Sequence, residues 1–318
     1  MLRLEIDDVL KKIKGAKKIG LQLPDGLKFK SDEIAKIFEK EGFEVFVSGE
    51  SCYGACDIDL ELLNEVDYLL HFCHTPIAEI DRVIYVPCLY DFEFDAEEIA
   101  KLIKIKKKEI ALISTAQYAL KLEELKDFLE KVGYKVELKK GSKRVKLKGQ
   151  VLGCNYTALK NTNADVVLFV GDGLFHAIGA SIYTGKKVYA YSPLTKEFRA
   201  VKSDEFIRRR YLRISKVLDK NKAAIIVSTK IGQERLTLAL KLKKLAEEKG
   251  KDVDIILLND VTPQKLDNFP YEYYINTACP RITYDDIELF KKPILTPQEF
   301  EIVLGFRDWE NYEIDEIP

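Results

Sequence analysis

Six cysteines are the side chains of this sequence best suited to chemistry, and they stand at positions 52, 56, 73, 88, 154 and 279. No two of them form a CxxC pair, which argues against a thioredoxin-like redox site and against a zinc ribbon. Because the chain of 318 residues shows no secretory signal, we expect reduced thiols that are buried or bind metal, and not disulfides.

Cys56, Cys154 and Cys279 have similar surroundings, in the segments YGACDID, LGCN and TACPRITYDD. Each is followed by a residue suited to begin a helix, where unpaired N–H groups and the helix dipole favour the thiolate that binds metal. Small neighbouring residues leave room for a bulky cofactor. We therefore expect the three cysteines to hold one 4Fe-4S cluster, whose fourth iron is left open for substrate.

Two alternatives are open for these three cysteines. Each could be a buried small hydrophobic residue, which is the common role of a single cysteine. The three thiolates could also bind zinc together with His74 or His176. Their repeated placement along the chain favours the cluster. Of the other cysteines, Cys52 is interpreted as structural, and Cys73 and Cys88 are interpreted as core residues.

Three segments of the chain follow one pattern: an apolar strand, a polar turn, an amphipathic helix, and a glycine before a second apolar strand. They begin at KKIGLQLPDGL, KKEIALISTAQY and KAAIIVSTKIGQ. Gly42, Gly133 and Gly250 are suited to the left-handed position after each helix. The pattern predicts an α/β fold of three repeated small parallel-sheet domains around a central cluster, with one cluster cysteine in each. The predicted domains are 1–104, 105–218 and 219–318.

Several further residues are candidates for substrate binding. Glycine-rich turns follow some predicted strands, where backbone amides could receive a carboxylate or a nucleotide, although no GxGxxG motif occurs. Histidines and cationic side chains at other strand ends could bind substrate or tune a cluster. The candidates are Asp25, Gly26, His74, Gly171, Asp172, Gly173, His176, Lys230, Gly232, Gln233 and Arg281. Each could equally be part of a turn, a helix cap or a core, and no acid or base is assigned.

The composition is that of an ordinary globular protein, with 47% hydrophobic and 32% charged residues and a net charge of −1. This balance argues against a nucleic-acid binder, and no apolar run approaches membrane-spanning length. The basic runs at 106–108 and 208–210 are interpreted as solvated helix faces or domain junctions. We expect a cytoplasmic protein without membrane or direct nucleic-acid partners.

The segments SCYGACDID, VLGCN and NTACPRITYDD, together with LPDGL, GDGLFH and TKIGQ, resemble the archaeal-type diphthamide-synthesis enzymes over essentially the whole chain. The resemblance implies three similar domains that each give one cysteine, at Cys56, Cys154 and Cys279, to a 4Fe-4S cluster. It also implies a nonstandard radical reaction on S-adenosylmethionine, since the usual CxxxCxxC motif is absent. In such a reaction a 3-amino-3-carboxypropyl radical adds to C2 of a histidine on translation elongation factor 2.

The same resemblance implies an electron donor and a homodimer. Two other functions are kept as alternatives. A quinolinate-synthase-like enzyme would use the open iron of a three-cysteine cluster as a Lewis acid in condensation and dehydration. A non-catalytic subunit would use the cluster only to relay electrons to a catalytic paralogue. An activity assay of the isolated protein distinguishes the enzyme from the electron-relay subunit.

Overall fold

Three mainly parallel β-sheets follow one another along the chain in the computed structural model, which describes residues 2–4, 6–90, 96–103, 109–285 and 288–318. Each sheet places its strands in the same order, with the first strand between the second and the third, and the fourth beside the third. This shared order confirms the α/β class and the threefold repetition predicted from the sequence. Parallel strands covered on both faces require apolar runs, which is why the first strands are almost wholly buried.

The first sheet has the strand order β3-β2-β4-β5, and a short antiparallel pair, β1 and β6, lies outside it. Its core is formed by the inward residues of α1, α2 and the strands. The elements of this part are β1 (Leu2–Leu4), α1 (Ile6–Lys12), β2 (Lys18–Gln22), a 3-10 helix (Asp25–Lys30), α2 (Ser31–Lys40), β3 (Glu44–Val47), α3 (Leu60–Glu65), β4 (Tyr68–Phe72), β5 (Val83–Val86), β6 (Cys88–Tyr90) and α4 (Ala96–Leu102).

The second sheet has the order β8-β7-β9-β10-β11, in which only β11 runs antiparallel to its neighbour. The elements here are β7 (Glu109–Ser114), α5 (Ala116–Ala119), α6 (Leu122–Lys131), β8 (Lys135–Glu137), a 3-10 helix (Thr157–Leu159), β9 (Val166–Val170), α7 (Phe175–Thr184), β10 (Lys187–Tyr191), β11 (Phe198–Ala200) and α8 (Asp204–Ser215).

The third sheet has the order β13-β12-β14-β15 and is parallel throughout. Its elements are β12 (Lys222–Ser228), α9 (Leu236–Glu248), β13 (Asp252–Leu258), α10 (Pro263–Asp267), β14 (Tyr273–Asn276), α11 (Pro280–Tyr284), β15 (Ile294–Leu295) and α12 (Pro297–Val303). Among the described residues, no helix is both long and apolar enough to cross a membrane.

The glycines predicted to end the first helix of each repeat do so. Gly42, Gly133 and Gly250 have φ angles of 91°, 98° and 70°, in the left-handed region where a residue with a Cβ is strained. Each glycine lets the chain turn back directly into the second strand of its sheet. The local helix-to-strand geometry of all three repeats is therefore determined by residues close together in the sequence.

The helix that precedes each sheet packs on that sheet. Ile99 and Ile103, at the end of α4, belong to the core of the second sheet, and Ile214 of α8 belongs to the core of the third. The predicted domain limits, at 104/105 and 218/219, leave these helices with the preceding sheet. By packing, α4 and α8 instead belong with the sheet that follows each of them. The domain limits themselves stay a prediction.

Arg210 is not part of a solvated helix face, because its side chain is only 2% exposed and that of its partner Glu299 is 0% exposed. The other interpretation of its basic run, a domain junction, is compatible with this pair, which crosses the predicted limit at 218/219. Its Nε and Nη2 atoms donate to the two carboxylate oxygens of Glu299 at 2.7 and 2.6 Å. Two backbone carbonyls accept two further N–H groups of the guanidinium. Arg208 and Arg209 are exposed, whereas residues 106–108 lie outside the described residues.

Cys73 and Cys88 form a disulfide, so the expectation that both are reduced core thiols is wrong. Cys73 follows β4 directly, and its N–H donates to the carbonyl of Val86 at the end of β5 at 2.9 Å. The parallel pairing of β4 with β5 therefore brings the two cysteines together. Their separation of 15 residues gave no indication of this pairing, which depends on strand adjacency.

Candidate metal and substrate site

The candidate site collects residues from loops at the carboxyl ends of strands. The strand order of each sheet reverses between the first and third strands, and α/β proteins bind ligands at such switch points. Cys279 follows β14 and Lys230 follows β12. Cys56 lies on the loop between β3 and α3, and Cys154 lies on the loop between β8 and the 3-10 helix of the second sheet.

The Cys56 loop is held closed by Asp57. Its Oδ2 atom accepts the backbone N–H groups of Tyr53 and Gly54 at 2.7 and 3.0 Å. Asp57 therefore ties the loop together, and the expectation that it begins a helix is wrong. The cap of α3 is Asp59, whose carboxylate accepts a backbone N–H of the first helical turn at 2.9 Å.

The Cys154 loop is a tight turn in which the N–H groups of Leu152 and Asn155 each donate to the other's carbonyl, at 3.0 and 3.1 Å. The Oδ1 atom of Asn155 accepts the Thr157 N–H at 3.1 Å, but the N-cap of the following 3-10 helix is Tyr156, so the expectation that Asn155 is the N-cap residue is wrong. The carbonyl of Cys154 accepts the N–H of Ile317 at 2.7 Å. The C-terminal segment thus supports the loop that carries Cys154.

Cys279 is the N-cap residue of α11, as the sequence predicts, and Pro280 occupies the first helical position. Asn276, the last residue of β14, orients this segment. Its Oδ1 atom accepts the Ala278 N–H at 2.9 Å, and its Nδ2 atom donates to the Cys279 carbonyl at 2.8 Å. The cysteine is therefore held by a fully buried side chain at the end of a core strand.

The pKa of each of the three thiols is affected by the charge of one of the others, so the three lie near one another. Burial raises the pKa of Cys56 and of Cys279 to about 12 and that of Cys154 to about 11. Each pKa is raised further by one of the other two thiols. The expectation that these thiols bind metal as thiolates stays a prediction.

The spacing of the three sulfurs argues against the zinc alternative. A tetrahedral zinc ion with Zn–S distances of about 2.3 Å brings its thiolates to about 3.8 Å from one another. Among the described residues, Cys56, Cys154 and Cys279 are not a set whose sulfurs all lie within 4.8 Å of one another. A larger polynuclear group suits this wider spacing better than a single ion.

Gln233 connects two of the cysteines through its side-chain amide, which is nearly buried at 6% exposure. Its Nε2 atom donates to Cys56 Sγ at 3.1 Å, and its Oε1 atom accepts the Cys279 N–H at 3.2 Å. The amide orientation is determined by the Cys279 N–H, because only an oxygen can accept it. Gln233 therefore positions both cysteines and offers a hydrogen bond to a sulfur.

Gly232 allows the chain of the third sheet to approach Cys56 closely. A Cβ atom at this position would lie 2.6 Å from Cys56 Cβ and 2.2 Å from the side chain of Ile77, closer than packed atoms come. The Gly232 carbonyl accepts an N–H from Arg144 at 2.9 Å. The positive charge of Arg144 also opposes the rise in the pKa of Cys154 and of Cys56, so one side chain acts on two of the three cysteines.

Lys230 pairs with carboxylates from two parts of the chain, at 2.6 Å from Asp57 and 2.7 Å from Asp260. Burial alone would lower the pKa of Lys230, but the two carboxylates raise it above its usual value. The ammonium group is therefore charged. It has three N–H donors, and these two partners use two of them.

A cavity of about 460 Å³ opens beside the cysteines and is lined by both Cys56 and Cys279. The Lys230, Gln233 and Arg281 side chains also line it, so three of the predicted candidates meet here. Other parts of its wall are apolar. The volume is that of a small-molecule site, in which a few polar groups orient a ligand against an apolar wall.

A sequence model of the family described as "Putative diphthamide synthesis protein" matches residues 23–314 of this chain. The chain belongs to the diphthamide synthesis family. A curated 2-(3-amino-3-carboxypropyl)histidine synthase of Pyrococcus horikoshii is 40% identical over 98% of this chain and 92% of the relative. The 2-(3-amino-3-carboxypropyl)histidine synthase of Methanocaldococcus jannaschii is 34% identical over 100% of this chain and 94% of the relative. The crystal structure of Dph2 from Pyrococcus horikoshii with a 4Fe-4S cluster matches this fold with a TM-score of 0.93 and 40% sequence identity. The match covers 100% of this chain and 95% of that chain.

In this diphthamide synthesis family member, Arg281 lies between the cavity and the Cys154 loop. Its guanidinium pairs with Asp285, with an Nη2–Oδ2 distance of 2.5 Å, and lies 4.9 Å from the centre of the Phe175 ring. A Cβ atom at Gly153 would lie 2.7 Å from Arg281 Cδ. The glycine before Cys154 therefore makes room for this arginine.

Asp25 and Gly26 are not among the residues that line this cavity. The Asp25 carboxylate accepts the Cys52 N–H at 3.1 Å and pairs with Lys28 at 2.6 Å, so it anchors the start of the Cys56 loop. A Cβ atom at Gly26 would meet no heavy atom within 4 Å. The geometry gives Asp25 a supporting role in this family member and shows no contact that requires a glycine at 26.

Gly171, Asp172 and Gly173 follow β9 and also do not line the cavity. The Asp172 carboxylate accepts hydrogen bonds from the hydroxyl groups of Tyr118 and Ser192. Gly171 and Gly173 have φ angles of 155° and 73°, which make them turn residues of the second sheet. These three residues of the family member therefore lie outside the cavity beside Cys56.

His74 and His176 occupy similar sequence positions but different surroundings. His176 lies on α7 and stacks on Phe169, with ring centres 5.8 Å apart. Burial, together with the charge of Arg281, lowers the pKa of His176 to about 4. His74 instead contacts His71, through ring nitrogens 2.8 Å apart, and lines a second cavity.

Sequence reasoning missed the C-terminal segment of this family member, which connects two cysteine loops. Arg235 donates to both carboxylate oxygens of Asp315, at 2.8 and 2.6 Å, and to the carbonyl groups of Thr277 and Ala278, which precede Cys279. It also missed Asp57, Arg144 and Asp260. An acidic residue next to a candidate ligand was the one available signal, at Asp57.

Proposed function

We propose that this chain catalyses the first step of diphthamide biosynthesis, the transfer of a 3-amino-3-carboxypropyl group from S-adenosylmethionine to C2 of a histidine on translation elongation factor 2. The observation that carries the proposal is a cavity of small-molecule size lined by Cys56 and Cys279, two of the predicted cluster ligands, which Gln233 connects through hydrogen bonds. The family assignment supports it and gives no support to the quinolinate-synthase-like alternative.

The residues present fit a 4Fe-4S cluster. Three cysteines with the repeated α/β placement suit a cubane that keeps one iron open, and Gly232 removes the side chain that would fill the space beside Cys56. When bound, the cluster supplies the single electron that breaks a carbon–sulfur bond of the sulfonium substrate. Cys56, Cys154 and Cys279 would hold it, and Gln233 would orient two of them and donate a hydrogen bond to one sulfur.

The charges that line the cavity complement S-adenosylmethionine. Among the described lining residues, three carboxylates (Asp57, Asp260, Asp285) face two cations (Lys230, Arg281). S-adenosylmethionine carries two positive groups, the ammonium and the sulfonium, and one carboxylate. We assign its carboxylate to Lys230 or Arg281, both of which retain free donors, and its positive groups to the acidic side of the cavity.

The apolar part of the wall suits the adenine ring. Val261, Ile282 and Phe290 line the cavity on the side of the third sheet. A purine placed against them would orient the sulfonium towards the cysteines, so that the protein selects which carbon–sulfur bond reacts by position. Cleavage of the sulfonium bond takes up one electron and transfers no proton, so this step needs no side-chain acid or base.

Product analysis tests the proposal. The anaerobically reconstituted and reduced protein, given S-adenosylmethionine, should form 5′-methylthioadenosine and not 5′-deoxyadenosine. With elongation factor 2 present, one histidine-containing peptide should gain the mass of an aminocarboxypropyl group. An unmodified histidine together with abundant 5′-deoxyadenosine would contradict the proposal. No nucleoside product despite full cluster content would support the electron-relay subunit instead.

Cysteine variants test the ligand assignment separately. Alanine at Cys56, Cys154 or Cys279 should abolish or strongly reduce bound iron and sulfide, because each supplies one of three protein ligands. Alanine at Cys52 is the matched control, since this buried cysteine lies four positions from Cys56 on the same loop. Full cluster content in the Cys279→Ala protein would contradict the three-ligand assignment.

We further propose that the protein acts in the cytoplasm as a homodimer and receives electrons from a separate electron donor.

A further inference from the structure

Cys52, His71 and His74 bring three metal-ligating atoms together on the first sheet. One ring nitrogen of each histidine and the Cys52 sulfur all lie within 4.8 Å of one another. Cys52 and His71 are buried, at 1% and 0% exposure. None of the three lines the cavity beside Cys56, so the proposed transfer reaction does not use them.

The hydrogen bonds of Gln22 determine which ring atoms of His71 carry protons. The Oε1 atom of Gln22 accepts the Asp59 N–H at 3.2 Å, and its Nε2 atom donates to the carbonyl of Asp57. The amide orientation is thus set by two backbone groups. His71 Nδ1, 2.9 Å from Oε1, must therefore be the donor, which leaves a lone pair on Nε2 of the neutral ring, 2.8 Å from His74 Nδ1.

This is the arrangement that protein metal sites use for a ligating histidine. One ring nitrogen donates its proton to a fixed oxygen, which sets the tautomer and directs the other nitrogen at the metal. Two imidazoles and one thiolate form a ligand set of intermediate softness, which suits Zn²⁺ and Co²⁺ and is unsuited to Mg²⁺ or Ca²⁺.

The distances are close to those that such an ion requires. Tetrahedral zinc, with Zn–N of about 2.0 Å and Zn–S of about 2.3 Å, separates its ligand atoms by about 3.3 to 3.6 Å. The two histidine nitrogens, now 2.8 Å apart, would need to separate by about half an ångström. The Cys52 sulfur already lies within 4.8 Å of both.

We propose that Cys52, His71 and His74 bind one divalent ion of the zinc class, in a site distinct from the three-cysteine centre. The protons balance: His71 keeps its Nδ1 proton, His74 transfers its proton from Nδ1 to Nε2, and Cys52 releases one proton to solvent. His74 also lines a cavity of about 470 Å³, which places one ligand of the site beside open space.

The site would join the loop that carries Cys56 to the end of β4. Cys52 lies near the start of that loop, and His71 and His74 lie at the carboxyl end of β4. A bound ion would add three metal–ligand bonds to the hydrogen bonds between Cys52 and Asp25. The ion would therefore stabilise the position of Cys56 without taking part in the transfer reaction. The proposal does not depend on the function proposed above.

Cobalt binding to the full-length chain tests the site, because Co²⁺ bound to a thiolate absorbs visible and near-ultraviolet light. The starting variant carries Cys154→Ala and Cys279→Ala, which removes the competing three-cysteine centre and leaves the new site intact. We expect it to bind one equivalent of Co²⁺ with a thiolate charge-transfer band. Adding Cys52→Ser or His74→Gln should weaken binding at least 100-fold, and adding Gln22→Leu should weaken it by about 10- to 100-fold.

Circular dichroism of each variant checks that the fold is intact, and His74→Gln, at a half-buried position, serves if Cys52→Ser does not fold. Absence of Co²⁺ binding to the starting variant would overturn the proposal. Equal affinity with and without Cys52→Ser and His74→Gln would also overturn it, because the ion would then be bound elsewhere. Retention of the iron–sulfur cluster in Cys52→Ser, with loss of cobalt binding by the site, would show that the two centres are separate.

Discussion

Gln233 donates its side-chain N–H to the sulfur of Cys56 at 3.1 Å, across the contact between the third and first sheets. The same amide accepts the N–H of Cys279 at 3.2 Å. One side chain thus determines the separation of two predicted cluster ligands that are 223 positions apart in a chain of 318 residues. Replacing Gln233 therefore tests whether its amide supports a cluster.

Replacing Gln233 by leucine should weaken iron retention by about 10- to 100-fold, because a hydrogen bond that orients a ligand is lost. The reduction potential should become more negative, since a donor to a ligating sulfur stabilises the reduced cluster. Redox titration followed by electron paramagnetic resonance measures the potential. Gln264→Leu, at an exposed position on α10, is the matched control. An unchanged potential in Gln233→Leu would show that the amide does not contact the cluster.

Asp315→Ala should destabilise the protein by about 3–5 kcal/mol, because it leaves the largely buried Arg235 guanidinium without its carboxylate. Cluster retention should also fall, since Arg235 holds the carbonyl groups of Thr277 and Ala278 next to Cys279. Denaturant unfolding and iron analysis measure the two effects. Glu313→Ala, at an exposed residue paired with Arg307, should change stability by less than about 1 kcal/mol. Similar losses in both variants would contradict a specific role for Asp315.

Arg210→Met should cost about 3–5 kcal/mol of unfolding free energy, because Glu299 is left buried and charged without a partner. Changing both residues, as Arg210→Met with Glu299→Gln, should recover part of this loss, because the unpaired charge is removed while a side-chain oxygen remains to accept from the Thr296 N–H or the Tyr312 hydroxyl. Arg209→Met on the same helix removes an exposed ion pair with Glu205 and should change stability by less than about 1 kcal/mol. Guanidinium unfolding of the four proteins gives the comparison. A double variant no more stable than Arg210→Met would mean that the pair is not the source of the loss.

The stability contributed by neutral His176 should depend on pH. Its pKa is lowered to about 4 by burial and by Arg281, so between pH 6.5 and 4 the unfolded chain binds a proton that the folded chain does not. Wild-type stability should therefore fall as the pH falls, relative to His176→Phe, with a limiting slope of about 1.4 kcal/mol per pH unit. Phenylalanine preserves the stacking on Phe169. A stability difference that is constant from pH 7 to 4 would contradict the lowered pKa.

The repeat, the fold class and the helix ends could be predicted from the sequence because they depend on short-range patterns. Apolar runs predict buried parallel strands, and Gly42, Gly133 and Gly250 predict left-handed turns, since backbone conformation is a local property. The repeated setting of Cys56 and Cys154 likewise drew attention to both residues before any contact was known. Cys279 was recognised by its neighbours, although it follows a strand in the third repeat.

Contacts between distant segments could be decided only by the tertiary structure. The pairing of β4 with β5 joins Cys73 to Cys88, and the packing of α8 on the third sheet buries Arg210. Lys230 meets Asp57 because the first and third sheets approach each other. The sequence shows which residue types are available, but their partners are selected by packing energies summed over the whole chain, which no local pattern contains.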